Sequence, residues 1–444
     1  MALRYWVGGS GTWDAVSTAN WSATSGGASG ASVPTTADDV VLNASSGAGT
    51  VTLGANVVAR IMTMTGFTGT LAFSTFKISL AGNAATVFTG ATTFTTSGDK
   101  LIELTYTGST GARTLATGAM TEANALTFSV PAGGDQLNPG TSAVRGYIMG
   151  AARTNANIFG VGIFTVYGDV TIYPAAGSTA ASGSAITFAA TSGVQVLTSN
   201  GTTINKPINV NAPGATVRLA DALVIANAQR LVVTSGTFDA NDKNVTADTF
   251  VAGTSSPILL MGSGTWTITG AGAAAWNGNQ ASLTVTPGTA TISLTSASAK
   301  TFAGGGKTWP TLNQAGAGTL TIQQSNTFAN ITNTVQPATI TFTAGTTQTV
   351  SAFGVSGTSG NLITLNTTVA GSQATLSDNS GTNSLSFTSV KDLAATGGAA
   401  WLAYTANGNV DAGNNTGWLF APAPVVTTPV TAFDLRSFTE KRRF

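Results

Sequence analysis

The sequence predicts an all-β chain folded as a right-handed parallel β-solenoid, a β-helix-like rod behind an N-terminal Trp-rich cap, with tandem β-sandwich domains as the alternative. Three observations predict it. Short segments in which apolar side chains alternate with Thr or Ser recur along the chain. Gly, Asn, Ser and Pro separate them at intervals that never widen into a helix-sized crossover. Trp6, Trp13 and Trp21, three of the eight tryptophans, stand at the N-terminus.

Residues 1–55 form the cap. Trp is large and seldom free in water, so three close together predict an aromatic plug over the open end of a stack, whose terminal turn would otherwise expose core. Residues 56–235 and 236–420 carry the strand phrases, among them "FKISLAG", "DVTIYP", "TWTITG", "TLTIQQ" and "ATITFTAG". Period two with β-branched residues means half-buried strands, with Val, Ile, Leu and Phe inward and Thr outward. The best helical stretch, "GAMTEANAL" at 118–126, is short. Gly-Thr before an alternating run (Gly69-Thr70, Gly236-Thr237, Gly264-Thr265, Gly318-Thr319) reads as the re-entry point of successive turns. The solenoid is preferred because a sandwich would announce itself by a buried Trp in mid-domain and regular hairpin turns, and Asn-Gly occurs at only three places. Residues 421–444 begin with the Pro-rich linker "APAPVVTTPV", which cannot continue a sheet interior. They end in a basic arm, where Phe433, Leu435, Phe438 and Phe444 are candidate partner-docking anchors beside Arg436, Lys441, Arg442 and Arg443. A frayed tail is the alternative.

Composition narrows the function. Only 8% of the 444 residues are charged, against 42% hydrophobic and 54 glycines, so the chain folds and keeps itself in water with hydroxyls and amides. No charge lies between Asp248 and Lys300 or between Lys307 and Asp378, yet neither stretch is an unbroken apolar run of membrane length. A net charge of +1 offers nothing to nucleic acid or an anionic membrane. The chain has no Cys and no His, which removes disulfides, thiolate metal sites and the usual general base. The N-terminus lacks the basic start and apolar run of a secretory signal, so synthesis in a cytoplasm and release by another route is expected.

The stretch 236–420 resembles a module of tailed-bacteriophage structural proteins, through "GTFDANDKNVTADTF", "GSGTWTITG", "KTFAGGGKTWPTLNQAGAGTLTIQQSNTFANI", "ITFTAGTTQTVSAFGVSGTSGNLITLN" and "ATGGAAWLAYTANGNVDAGNNTGWLF". The front, with "GTWDAVSTANWS" and "VPTTADDVVLN", is similar to the N-terminal turn of the same proteins. The resemblance implies a fibre, spike or capsid decoration on a virion surface. The implied partners are other virion proteins, further copies of itself, with a homotrimer as the viral analogue, and a host surface glycan. It brings no catalytic residue and no cofactor. A bacterial surface adhesin and a polysaccharide-degrading tail spike are the alternatives.

Glycan cleavage needs two carboxylates across a bond, and the chain has only Glu103, Glu122 and Glu440 with fourteen thinly spread aspartates. Asp38 and Asp39 point to opposite faces if extended, one as a turn or cap ligand and the other solvated. "FDANDKN", with Asp239, Asn241, Asp242 and Asn244, reads as turn chemistry; a calcium site is the alternative, although the EF-hand spacing is missing. "AGNNTGW", with Asn414, Asn415 and Trp418, reads as a closing turn with a packed aromatic, or as a sugar platform on Trp418. "FAGGGKTW" lacks the glycine spacing and the following helix of a phosphate loop.

Overall fold

The computed structural model describes residues 1–91, 93–108, 112–133, 136–138, 142–153, 164–173 and 185–421. The docking arm (Phe433, Leu435, Arg436, Phe438, Lys441, Arg442, Arg443 and Phe444) lies outside the described residues. The chain is nearly all β, with 2% helix, and its parallel strands stack into a β-solenoid of about 15 turns. At a strand spacing of ~4.8 Å that stack is about 70 Å long.

One ladder runs almost end to end. It begins with Val57–Ala59, Lys77–Leu80 and Leu101–Leu104, passes through Gly146–Arg153, Ile208–Leu219 and Arg230–Asp239, and ends at Thr388–Val390 and Val410–Asp411. Two other ladders accompany its first turns, one from Leu3–Trp6 to Gln136–Asn138 and one from Gly11–Trp13 to Thr95–Ser97. A different partner, the C-terminal ladder, starts at Thr203–Ile204 and runs to Leu393–Thr396. The cross-section therefore changes in mid-chain while the long ladder continues. The strand Arg230–Asp239 crosses the division expected at 235/236 without a break.

Alternation sets which side faces in. Thr291–Leu294, Leu320–Gln323 and Ala338–Phe342 bury Ile292, Leu294, Leu320, Ile322, Ile340 and Phe342 and turn Thr291, Thr321, Thr339 and Thr341 outward. Threonine also closes corners. Thr105, Thr295 and Thr343 each donate the backbone N–H and the hydroxyl to one carbonyl of the previous turn, that of Leu80, Ile268 and Ile322. Side-chain amides do similar work inside. Asn409 is buried, accepts from Thr388 N and Oγ1 at 2.9 and 2.8 Å, and donates to Leu385 O and Tyr404 O. Part of the Asn excess thus satisfies backbone at buried corners.

The cap tryptophans behave as expected. Trp6, Trp13 and Trp21 are all buried, and Trp21 meets Trp6 and Trp13 edge-on at 5.2 and 5.1 Å between ring centroids. Trp21–Ser22 pairs antiparallel with Leu3–Trp6, the only such strand pair among those described. It covers the free edge of the first turn, which would otherwise invite another strand.

The short stretch 118–126 forms turns, which the Asn124 side chain closes by accepting from Thr121 N and donating to Phe94 O. Two expectations need correction. The absence of a buried mid-chain Trp was a poor criterion against sandwiches: Trp266, Trp276 and Trp309 are fully buried in mid-chain, filling the solenoid interior. Of the four Gly-Thr pairs, three stand at strand starts, whereas Gly236-Thr237 lies within Arg230–Asp239. What they share is crowding. A Cβ on Gly69, Gly264 or Gly318 would run into the carbonyl oxygen of Gly49, Lys243 or Ser298 on the preceding turn, and one on Gly236 into that of Ala212. Gly264→Ala is expected to cost about 1–3 kcal/mol, read as a lower thermal midpoint; an unchanged midpoint would show that the turns can spread without penalty.

Candidate functional site

One of two shallow depressions of similar size lies beside the long ladder, a groove of about 530 Å³ lined by Glu122, Arg145, Ile148, Tyr167, Asp169 and Val194 among others. Successive turns build it. Ile148 stands on Gly146–Arg153, Tyr167 and Asp169 follow Phe164–Val166, and Val194 belongs to Gly193–Thr198. Glu122 reaches in from a corner and ties distant turns together, accepting from Thr191 Oγ1 at 2.7 Å and Thr191 N at 3.1 Å. Asp169 accepts from Val196 N at 2.8 Å. Beneath them the buried Gln195 donates to Val166 O and Gly168 O.

The charges in this groove are only partly satisfied. Arg145 forms no ion pair among the described residues. Lys100 donates to Ala123 O, and burial, followed by the positive charge of Arg145, lowers its pKa below the ordinary lysine value. Burial, followed by the charge of Glu122, raises the phenol of Tyr167. Sequence reasoning did not bring Glu122 and Asp169 to one depression because they are 47 residues apart and line it together only through the register of the stack.

Elsewhere, too, carboxylates serve the backbone. Asp38 is the expected turn ligand, accepting from Thr35 N, Thr35 Oγ1 and Ala2 N. Burial opposes its ionisation, but these bonds and the charge of Arg4 outweigh it and hold the carboxyl below the usual value. The lowered pKa stabilises the fold above the unfolded value of 3.8 and ceases to do so as pH falls through the folded one. Asp38→Ala is expected to cost about 2 kcal/mol, measured by urea unfolding at neutral pH; a cost near zero would mean that water replaces the carboxylate. Asp39 is not simply solvated as expected. The strand Ile61–Thr63 stacks on Asp39–Val41 and brings Arg60 alongside, with contacts of 2.7 and 2.6 Å to its two oxygens.

The other sequence candidates resolve into turns. Asp239 accepts from Arg218 Nε and Asn241 N, Asn241 donates to Leu219 O, and Asn244 accepts from Thr265 N. Asn241 and Asp242 have left-handed backbone, with φ of 49° and 60°. No group of three or more His, Cys, Asp or Glu side chains suited to a metal ion occurs among the described residues. Trp418 is buried and donates to Leu393 O, so it is no open sugar platform; Asn415 closes the same turn through Leu393 N, Val390 O and Asp411. After "FAGGGK" comes a strand, Thr308–Gln314, and Lys307 donates to Ala281 O.

Lys300 was not singled out by sequence reading. Its side chain is turned inward, and Nζ donates to Ser296 O at 2.8 Å, Gly318 O at 2.9 Å and Gly316 O at 3.5 Å. Burial pushes its pKa down to about 8. No helix among the described residues is long and apolar enough to cross a membrane. Comparison of the chain with family models, curated proteins and solved structures finds no match.

Proposed function

We propose that this chain is a non-enzymatic structural protein of a virion, a fibre, spike or capsid decoration displayed on the particle surface as a homo-oligomer. The observation that supports this reading is the continuous ladder from Val57–Ala59 to Val410–Asp411, which makes a self-supporting rod of one core. Several of its polar side chains, such as Thr105, Thr295, Thr343 and Asn409, join one turn to the next, as a stacked structure requires. The phage-type phrases of 236–420 belong to the same rod, and the basic arm with Phe433, Phe438 and Phe444 supplies an anchor to other virion proteins.

The test is electron microscopy of the full-length protein and of a version ending at Phe420, each with and without the particle. Full-length rods are expected to attach and truncated rods to stay free. Rods that ignore the particle in both forms overturn the virion reading.

The groove of Glu122 and Asp169 favours a second reading, a spike that holds or cuts a host surface polysaccharide. Release of reducing ends from a bacterial polysaccharide, abolished in Glu122→Gln, would replace the structural reading by this one.

A further inference from the structure

We infer that Asn407-Gly408 is a site of spontaneous modification, at which the side-chain amide of Asn407 is lost and the residue becomes a mixture of aspartate and isoaspartate. The inference does not depend on what the rod attaches to.

The chain has three Asn-Gly pairs, at Asn200-Gly201, Asn277-Gly278 and Asn407-Gly408. A glycine has no side chain to shield its amide nitrogen, so an asparagine before it is the one most readily attacked by its own backbone. The sequence does not distinguish the three, but their surroundings do. Asn277 ends the strand Gly272–Asn277 and is paired on both sides, with Val251 and Ala303. Its side chain accepts from Asn279 N, and Gly278 N donates to Ala303 O at 2.8 Å. Asn200 donates its backbone N–H to the Asp221 carboxylate and its Nδ2 to Ile172 O. At both places the side-chain carbon can reach the next nitrogen only if bonds to other turns break.

Asn407 is different. It is exposed at the end of the 3-10 turn Thr405–Asn407, and its side chain has no hydrogen-bond partner among the described residues. The nitrogen of Gly408 is bonded only within that turn, to Thr405 O at 3.0 Å. A short surface turn of this kind opens at little cost, whereas ladder bonds open with the stack. The fold itself fixes glycine at 408, where φ is 74° and a Cβ would strike the ring of Phe387.

The reaction needs only water. The Gly408 nitrogen attacks Cγ of Asn407 and forms a C–N bond, and the side-chain nitrogen leaves as ammonia with the Gly408 proton. Water then opens the cyclic imide. Breaking its bond to the former side-chain carbon gives aspartate; breaking its bond to the former main-chain carbonyl gives isoaspartate, whose backbone is longer by a methylene. That extra length falls beside Asn409, which is buried and pins the last turn through Thr388 N, Thr388 Oγ1, Leu385 O and Tyr404 O. Moving Asn409 out of register loosens the turn that carries Val410–Asp411.

Peptide mapping by mass spectrometry tests this on the full-length protein held at mildly alkaline pH below its unfolding temperature. The peptide of Asn407 is expected to convert about tenfold or more faster than those of Asn200 and Asn277, because it needs only local opening. In concentrated urea the three rates are expected to converge. Asn407→Gln, with unchanged circular dichroism, is expected to abolish conversion at that position. Converted protein is expected to be cut by a broad-specificity protease between Ala403 and Val410, where fresh protein is not. Conversion of Asn200 or Asn277 as fast as Asn407 in the folded chain overturns the inference, as does an Asn407 that stays intact while the urea-treated chain converts. Converted protein that resists the protease overturns the loosening of the last turn.

Discussion

Trp276→Ala is expected to destabilise the rod by about 3–5 kcal/mol and to split its unfolding into two steps. Trp276 is fully buried at the centre of an aromatic column, stacked on Phe250 at 4.3 Å and Phe302 at 5.8 Å and edge-on to Trp266 and Trp309 at 5.9 and 5.4 Å. Removing it leaves a cavity that neighbouring turns can close only by leaving hydrogen-bond register. In a stack, stability passes from turn to turn, so one weak interface uncouples what lies on either side. Trp276→Phe separates packing from polarity. The indole N–H of Trp276 is buried without an acceptor among the described residues, so the phenyl ring loses some volume but relieves an orphan donor. Its cost is expected to be about 1 kcal/mol or less. Chemical denaturation followed by circular dichroism decides: an unchanged single transition for Trp276→Ala would show that the column does not couple the turns.

The stability of the chain is expected to rise between about pH 8 and pH 10, opposite to the trend a surface lysine paired with a carboxylate would give. Lys300 is held by carbonyls alone, in a stretch where the sequence carries no charge from 249 to 299 or from 308 to 377, and burial lowers its pKa to about 8 from 10.5. Between those values the unfolded chain binds the proton and the folded one does not. The penalty is therefore fully present below about pH 8 and disappears as pH approaches 10.5, a change of about 3 kcal/mol at most. Lys100 and Lys206, also lowered first by burial, act in the same direction. Tyr167, raised by burial and then by Glu122, opposes them above pH 10 and sets the upper limit of the useful range. Urea unfolding at pH 7.5, 8.5 and 9.5 should show the rise, and Lys300→Met should flatten it. A level profile for the unaltered protein would mean that water reaches the ammonium.

Local pattern made much of the fold legible. Alternation such as "ATITFTAG" specifies a strand and its buried side, because side chains change face at every residue. The three N-terminal tryptophans indicated a cap from size alone, and they are buried together. The irregular spacing of the turns hid the rest. Neighbours in the ladder are separated by steps that vary, 20 residues from Thr301 to Thr321 and 25 from Thr341 to Asn366, so no fixed period aligns one turn on the next. Asp39 was therefore not matched with Arg60, nor Glu122 with Thr191, and the "GT" phrase was noticed without its cause.

From the sequence alone follow the all-β class, the inward and outward sides of each strand, the cap, and the shortage of chemistry in a chain without His or Cys. Only the tertiary structure decided which turn lies on which. That choice created the groove of Glu122 and Asp169, the carbonyl cage of Lys300 and the replacement of the two N-terminal side ladders by the C-terminal one. Strand pattern is written in neighbours two residues apart, which any reader of the chain can see. Register between turns is decided by packing and hydrogen bonds across 20 or more residues, where side-chain volumes in the shared core and the close approach of glycines to carbonyls select one stacking among many.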